Sequence, residues 1–316
     1  MPRSPFHAGE RLAQARVGVR DRVESIGRHM IRAAMPDQHR ELFATLPYLV
    51  LGGVDDRARP WASMVAGPPG FVTSPDATTL VIDAAPGPGD PLATALVSGA
   101  PIGVLGIELA TRRRNRANGV VRGRQGDQLT IDVRQSFGNC PKYIHGRAPT
   151  QGAPAAISPG ATPHGNRLPD PLVARLRAAD TFFIASATTD AGHGDGSDGV
   201  DVSHRGGHPG FVRVDQGATT TLTFPDFLGN FMFNTIGNLL ANPRAGLVVP
   251  DFRRGDLLSL TGTTEIVWDG PEVEAFAGAE RLIRFQVDAA HELPGRLGAA
   301  WSEPAPARHL ADTGRW

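Results

Sequence analysis

Short apolar segments, separated by turn residues, recur along most of the chain. Residues 46–52 and 181–187 are largely apolar, and residues 219–224 alternate between polar and apolar side chains. A period of two is typical of β-strands. Residues 9–32 instead carry apolar side chains at helical spacing, which predicts one or two amphipathic helices near the N-terminus. The pattern therefore predicts a mostly β protein with short helices (α+β).

The pattern occurs twice. Ala62-Ser63 and the following PGFV turn at 69–72 recur at the same spacing as Val202-Ser203 and the PGFV turn at 209–212. A repeat of this kind indicates two copies of one structural unit. Many short strands with one helical insert in each copy predict a small barrel. We therefore expect two tandem β units that form an internal pseudo-dimer.

The repeat divides the chain into five predicted parts. A helical segment covers residues 1–40, and the first copy covers 41–147. Residues 148–169 are rich in Pro, Gly and Ala without periodicity, which predicts a linker. The second copy covers 170–290. Residues 291–316 are expected to form a loose tail.

Composition narrows the class of protein. The chain has 316 residues, with Lys plus Arg and Asp plus Glu equal at 32 each, which argues against nucleic-acid binding. No apolar run is long enough to span a membrane, and the N-terminus has no signal-peptide pattern. The single cysteine, Cys140, excludes an internal disulfide and favours a cytoplasmic location. An excess of Arg over Lys and abundant Ala are typical of GC-rich bacteria.

Residues 224–252 hold the densest set of candidate binding groups. A strand is expected to end at Phe224, because Pro225 lacks the N–H needed for pairing. Asn230, Asn234 and Asn238 follow at four-residue spacing, so a helix would place them on one face, with Thr235 beside them. Two interpretations remain: the amides bind a ligand near a helix N-terminus, or they are merely solvated.

The two copies differ at several of these positions. The second copy has His204 and Arg205 where the first has Met64 and Val65. Asn234, Thr235 and Asn238 of the second copy correspond to Leu92, Ala93 and Leu96 of the first. The shared residues are expected to form the scaffold, whereas polar residues unique to the second copy are candidates for a site. The first copy is then expected to have lost its own site.

Two segments of the first copy are candidates to complete that site. In the Arg-rich segment at 111–119, Arg112, Arg114 and Arg116 would share one face of a strand and could bind a phosphate. A solvated barrel rim is the alternative. The segment 135–144 is predicted to be a shaped loop with donors such as Ser136 and Asn139, and Cys140 is expected to be a packed small residue.

Four segments together resemble the pyridoxamine 5′-phosphate oxidase-like family of FMN-binding split barrels, in a branch of longer bacterial proteins. These segments are DVSHRGG at 201–207, the run 224–252, RRRNRANG at 112–119 and QSFGNCPKYI at 135–144. The resemblance implies that each copy is a split β-barrel and that FMN lies where two barrels meet. In this chain, the two copies would form that pair internally.

The chemistry of individual residues, together with the resemblance, suggests roles that we state as expectations. His204 is the candidate for proton handling, or else a structural residue, and no metal site is expected. The remaining residues, expected to bind FMN, are Ser203, Arg205, Phe224, Pro225, Asp226, Asn230, Asn234, Thr235, Asn238, Arg112, Arg114, Arg116, Ser136 and Asn139.

Two classes of function follow from these expectations. The first is an FMN-dependent oxidoreductase that acts on a small molecule, with NAD(P)H or a partner reductase as electron source. The second is a non-catalytic flavin or tetrapyrrole carrier or sensor. A third interpretation places the deazaflavin F420 in the same cleft. The protein would act as a monomeric pseudo-dimer or as a homodimer.

Overall fold

The computed structural model describes residues 3–150, 160–189, 191, 197–298 and 300–316. Three helices open the chain: α1 (Ala8–Arg16), α2 (Arg20–Met30) and α3 (Asp37–Thr45). The predicted amphipathic stretch at 9–32 therefore forms two helices. Among the described residues, no helix combines the length and the apolar character needed to cross a membrane.

The first unit is a seven-stranded antiparallel sheet. Its strands are β1 (Tyr48–Val54), β2 (Pro60–Ala66), β3 (Val72–Asp76), β4 (Thr79–Ile82), β5 (Pro101–Glu108), β6 (Arg113–Gln125) and β7 (Gln128–Gly138). Their order across the sheet is β2-β1-β5-β6-β7-β4-β3. The long strands β6 and β7 pair along most of their length, with register shifts at Asn118/Gly119 and Val121/Gly123.

The second unit is an eight-stranded antiparallel sheet. Its elements are β8 (Thr162–His164), α4 (Asp170–Ala178), β9 (Thr181–Ala187), β10 (Val200–Gly206), β11 (Arg213–Gln216), β12 (Thr220–Phe227), α5 (Asn234–Ala241), β13 (Arg244–Asp251), β14 (Asp256–Val267), α6 (Pro271–Glu274) and β15 (Ala279–Leu293), with a 3-10 turn at Arg308–Leu310. The main order is β10-β9-β13-β14-β15-β12-β11, and β8 pairs with β15.

The two sheets have the same strand order when each strand is matched to its counterpart in the other unit. This confirms the predicted fold class, a mostly β chain with short helices that contains two tandem copies of one unit. The proposed domain boundaries remain predictions. Of the predicted linker, residues 151–159 lie outside the described residues, while Thr162–His164 forms strand β8.

The two units pack directly on each other. Gly246 in β13 lies so close to β2 that an added Cβ would be 2.4 Å from the Cα of Trp61. Ser259 in β14 donates a hydrogen bond to the carbonyl oxygen of Ala62, at 2.8 Å. A shared apolar cluster contains residues of both units, including Val50 and Val248. The predicted internal pseudo-dimer is therefore formed by backbone-level contact between the sheets.

Leucines fill the first unit at the positions where the second unit carries polar groups. Leu92 and Leu96 are both fully buried, and they lie over Gly53, where an added Cβ would be 3.0 Å from each. The segment that contains them consists of turns, whereas the counterpart in the second unit contains α5. The first unit thus has an apolar core where the second has hydrogen-bonding side chains.

The expectation that Pro225 ends its strand is wrong. Strand β12 continues to Phe227, and Pro225 lies opposite Leu282 of β15. The neighbouring strand β11 does not pair with β12 at Pro225, because the pair nearest to that residue is Arg213 with Thr223. Beyond that pair β12 is an edge on one side, so a missing N–H costs no ladder bond there.

The helix in the 224–252 run is shorter than predicted. It begins at Asn234, and the preceding residues Phe231 and Phe233 have φ angles of 61° and 62°. Asn230 therefore lies outside the helix, and it is exposed. Asn234 and Asn238 do share one helix face, one turn apart.

Two loop predictions are also corrected. Residues 135–138 belong to β7 rather than to a loop. The C-terminal segment is docked rather than loose: Trp301 packs edge-on against Tyr48, with ring centroids 5.2 Å apart, and Trp316 lies 5.0 Å from Phe276. The aromatic side chains of this segment supply the buried area that its irregular backbone lacks.

Candidate functional site

A cavity lies where the two units meet, between the N-terminus of α5, strands β10 and β12, strand β6 and the loop after β7. Eleven of the predicted site residues line it. They are Arg114, Arg116, Asn139, Ser203, His204, Arg205, Pro225, Asp226, Asn230, Asn234 and Thr235. The structure thus brings the Arg-rich segment of the first unit to the polar residues of the second.

Arg116 joins the two units at the inner end of the cavity. This guanidinium is 3% exposed and lies 3.3 Å from the carboxylate of Asp201. It donates to the carbonyl oxygen of Val202 at 2.9 Å, to Asn234 Oδ1 at 2.7 Å and to the hydroxyl of Ser203. Every one of these partners belongs to the second unit, so one side chain of β6 fixes the site strand β10 and helix α5.

Two hydroxyls and a helix N-terminus lie beside Arg116. The hydroxyls of Ser203 and Thr235 are 2.9 Å apart, and both side chains are buried. Helix α5 begins at Asn234 without a side-chain cap, and its first three residues line the cavity. Free N–H groups at a helix N-terminus attract anions. This end of the cavity is therefore built to receive a negatively charged group.

A second cationic group lies further along the cavity. Asp226 accepts hydrogen bonds from both Arg205 and Arg281, so one carboxylate is shared by two guanidinium groups. Asp226 and Arg281 are both buried. Glu280 lies 3.9 Å from Arg281, so the two guanidinium groups are matched by two carboxylates at this part of the cavity wall.

Arg114 adds a further cation, which has no carboxylate partner among the described residues. Its Nε donates to the carbonyl oxygen of Cys140 at 2.9 Å. Burial, and then the neighbouring Arg116, lower the pKa of the Arg114 guanidinium to about 9. A positive charge held in this environment is stabilised when an anion binds next to it.

The balance of charges and unsatisfied donors fits a phosphate-bearing ligand. Five cationic side chains line the cavity, against the two carboxylates of Asp226 and Glu280. Buried atoms without a hydrogen-bond partner among the described residues include Arg205 Nε and Arg281 Nε, and both side chains line the cavity. Buried polar atoms are rarely left unpaired, so these two donors are available to a ligand there. The donor set therefore fits the phosphate of FMN.

Aromatic side chains line the remainder of the cavity. Tyr143 and Phe227 lie with ring centroids 4.9 Å apart, and Phe231 and Phe233 lie 6.2 Å apart at a steep angle. Tyr143 also donates a hydrogen bond to the carbonyl oxygen of Leu228, at 3.2 Å. Arg281 lies over the ring of Phe233, 5.1 Å from its centroid, so cationic and aromatic groups line the same cavity. This combination suits a flat ring system with an anionic group.

His204 faces away from its neighbours in the strand. Alternation along β10 places Ser203 and Arg205 on one face and His204 on the other. His204 packs against Phe183, with ring centroids 5.5 Å apart. Burial, and then the positive charge of Arg114, lower the pKa of His204 well below its usual value. The imidazole is therefore neutral at physiological pH, able to exchange hydrogen bonds but not to serve as a ready acid.

We expect the His204 ring to resist protonation throughout the neutral range. Its NMR resonances, assigned by comparison with His204→Gln, should not titrate between pH 8 and about 6. Because the folded-state pKa lies below the unfolded value, the contribution of His204 to stability is complete above about pH 6.5 and is lost as the pH falls. A titration midpoint near 6.5 would contradict this expectation.

Four predicted site residues lie outside the cavity. Arg112 has a φ of 63° and adopts a turn before β6, so its Nε donates to the carbonyl oxygen of Ile144. Ser136 is fully buried in β7 and donates to the carbonyl oxygen of Arg116, which supports the strand. Phe224 belongs to the apolar core, and Asn238 donates to Asp201 and Ser186 behind the cavity.

Besides the aromatic lining residues, Arg281 and Glu10 were not among the sequence-based candidates. Arg281 lies at the start of β15, where a polar residue directly before an alternating strand carries no distinctive signal. Glu10 in α1 accepts a hydrogen bond from Asn234 Nδ2 at 2.6 Å. It is separated from Asn234 by most of the chain, so only the tertiary structure reveals the pair.

In the first unit, the charged group beside the equivalent serine is negative rather than positive. Ser63, the counterpart of Ser203, bonds to the buried carboxylate of Asp90 instead of a guanidinium. Burial raises the pKa of Asp90 to about 6. A carboxylate at this place would repel a phosphate. The first unit therefore lacks both the space and the charge for the ligand that the second unit suits.

No protein-family model and no curated protein matches the chain. Solved structures do match. HupZ from Group A Streptococcus is 13% identical, covers 42% of this chain and 98% of its own length, with a TM-score of 0.31. A candidate pyridoxamine 5′-phosphate oxidase from Lactobacillus delbrueckii is 13% identical. The match covers 40% of this chain and 93% of that protein, with a TM-score of 0.31. A structure described as F420 reductase is 17% identical. The match covers 40% of this chain and 92% of that protein, with a TM-score of 0.23.

Each of these neighbours matches over almost its whole length, yet covers only about two fifths of this chain. The fold assignment is carried by the two identical strand orders.

Proposed function

We propose that the cavity binds FMN and that the protein is an FMN-dependent oxidoreductase acting on a small molecule. The observation that carries the proposal is the cationic inner end, where Arg116, two hydroxyls and an uncapped helix N-terminus lie together. The aromatic lining supports the same ligand, because it offers apolar contact for a ring system.

Different residues of this chain would bind the phosphate and the ring system of the ligand. Arg116, Ser203 and Thr235 would hold the phosphate with the N-terminus of α5. Phe231 and Tyr143 would cover the ring. The flavin itself would supply the transfer of electrons, and the protein would bind it, orient it and exclude water. His204, on the opposite face of β10 and packed against Phe183, would support the strand rather than transfer a proton.

The proposal predicts one FMN per chain. Purified protein incubated with FMN and then desalted should show a flavin spectrum at a stoichiometry near one. Ser203→Ala should weaken FMN binding on the order of tenfold, because it removes a hydrogen bond to a charged group. The matched variant Ser63→Ala, at the counterpart position beside Asp90, should leave the affinity unchanged.

Different outcomes separate the alternatives. A protein that takes up no FMN, or takes up two per chain, would contradict the proposed site. Bound FMN that neither NADH, NADPH nor a reductase can reduce would favour the carrier or sensor instead. Preferential uptake of F420 over FMN would keep the cavity and change the cofactor.

A further inference from the structure

The N-terminal helix α1 lies directly against the site helix α5. An added Cβ at Gly9 would be 2.1 Å from the carbonyl oxygen of Gly237, and one at Gly237 would be 2.5 Å from the backbone nitrogen of Glu10. Contact this close is possible only because both residues lack side chains. It brings α1 within hydrogen-bond distance of the first turn of α5.

The carboxylate of Glu10 is enclosed in that contact. Glu10 is 3% exposed. Its Oε2 accepts from the backbone N–H of His7 at 3.0 Å, and its Oε1 accepts from Asn234 Nδ2 at 2.6 Å. Each oxygen therefore has its own donor, and the side chain is held from both sides.

These bonds fix the orientation of the Asn234 amide. A guanidinium can only donate, so the group that faces Arg116 must be Oδ1, at 2.7 Å. The amide nitrogen must then face an acceptor, which Glu10 provides. Without Glu10 the amide nitrogen loses this acceptor, and the bond from Arg116 alone holds the side chain in place.

The same series of hydrogen bonds continues from Arg116 to the cavity surface. Arg116 donates to the Ser203 hydroxyl, which also lies 2.9 Å from the hydroxyl of Thr235. Whichever hydroxyl donates within that pair, the other keeps a proton with no acceptor assigned among the described residues. Both side chains line the cavity, so this proton is available to an anion there.

We propose that Glu10 is a positioning residue for the anion-binding end of the cavity, acting through Asn234 on Arg116 and the Ser203–Thr235 hydroxyl pair. The identity of the ligand rests on the proposed function. The role of the N-terminal segment is thus to complete the site of the second unit from behind, rather than to cap the fold.

The test compares FMN with riboflavin, which lacks the phosphate. Glu10→Gln keeps the size of the side chain but has one acceptor oxygen for two donors. It should lower the preference for FMN over riboflavin on the order of tenfold. Gln14→Ala removes a different α1 contact, the hydrogen bond to the Met232 carbonyl oxygen at 3.2 Å, and should leave the preference unchanged.

A double-mutant cycle tests whether Glu10 acts through Asn234. If Glu10 acts through Asn234, Glu10→Gln should change the preference less than about twofold in an Asn234→Ala background. An unchanged preference in the single variant, or an equal loss in both backgrounds, would overturn the proposal. An equal loss with Gln14→Ala would also overturn it, because helix docking alone would then account for the effect.

Inorganic phosphate separates this proposal from the proposed function. The same variants are titrated with phosphate by calorimetry. Wild-type protein that binds phosphate but no flavin would contradict the flavin proposal, and the phosphate affinities of the cycle would then decide the role of Glu10. Wild-type protein that binds neither would contradict both.

Discussion

Replacing Arg116 by alanine is expected to lower the free energy of unfolding by about 3–5 kcal/mol and to abolish FMN binding. Arg116 is buried and supplies the positive charge next to Asp201, which is 8% exposed. Without it, Asp201 keeps two amide donors, Asn118 and Asn238, but no counter-charge. A buried charge left without its partner costs more than the intact pair contributes.

Denaturant unfolding followed by tryptophan fluorescence would measure the effect. Arg122 lies on the same strand β6, is exposed and pairs with Asp132, so Arg122→Ala is a matched control that should barely move the midpoint. Arg116→Lys should fall between, because an ammonium cannot reach partners in several directions at once. An Arg116→Ala protein that unfolds like the wild type and retains FMN would show that this residue does not join the units.

Replacing Leu92 by alanine is expected to destabilise the protein by about 2–5 kcal/mol without creating a second flavin site. Leu92 is fully buried over Gly53, and its removal would leave a cavity that the surrounding strands close only in part. The nearby carboxylate of Asp90 and the apolar Val65 offer no phosphate donors. The volume vacated by Leu92→Ala should therefore not by itself allow the first unit to bind a flavin.

The control for this variant is Leu12→Ala in α1, where the side chain is 61% exposed and little should change. Stability is measured by denaturant unfolding, and the FMN content by absorbance after desalting. A stoichiometry that rises toward two FMN per chain would show that the first unit lost its site through volume only, contrary to the charge argument.

The sequence allowed the two-unit architecture to be predicted because the PGFV turns and the residues before them recur at the same spacing, whereas the candidate site was located by the positions at which the units differ. Positions such as Arg205 and Thr235 stood out against apolar counterparts in the first copy, and both line the cavity. Strand patterning sufficed for the sheets because strands such as β1 and β9 are buried on both faces and are largely apolar, whereas half-buried strands such as β7 alternate. The roles given to the cavity residues remain predictions.

The errors have local physical causes. Arg112 looked like a strand residue, but its positive φ puts it in a turn. Ser136 looked like a loop donor, but β7 extends through Gly138 and buries it. Glu10 gave no signal, because its contact with Asn234 depends on two glycines far apart in sequence whose helices meet only in the folded chain.

The cavity draws Arg114 and Arg116 from the first unit and Ser203 and Thr235 from the second, all within one polypeptide. Assembly of the site is therefore a unimolecular event, with the second unit held near the first at a high effective concentration. Dilution, which takes apart a site shared by separate subunits, does not separate these halves. The covalent link also frees each unit from symmetry, so a substitution in one copy changes one half of the site alone.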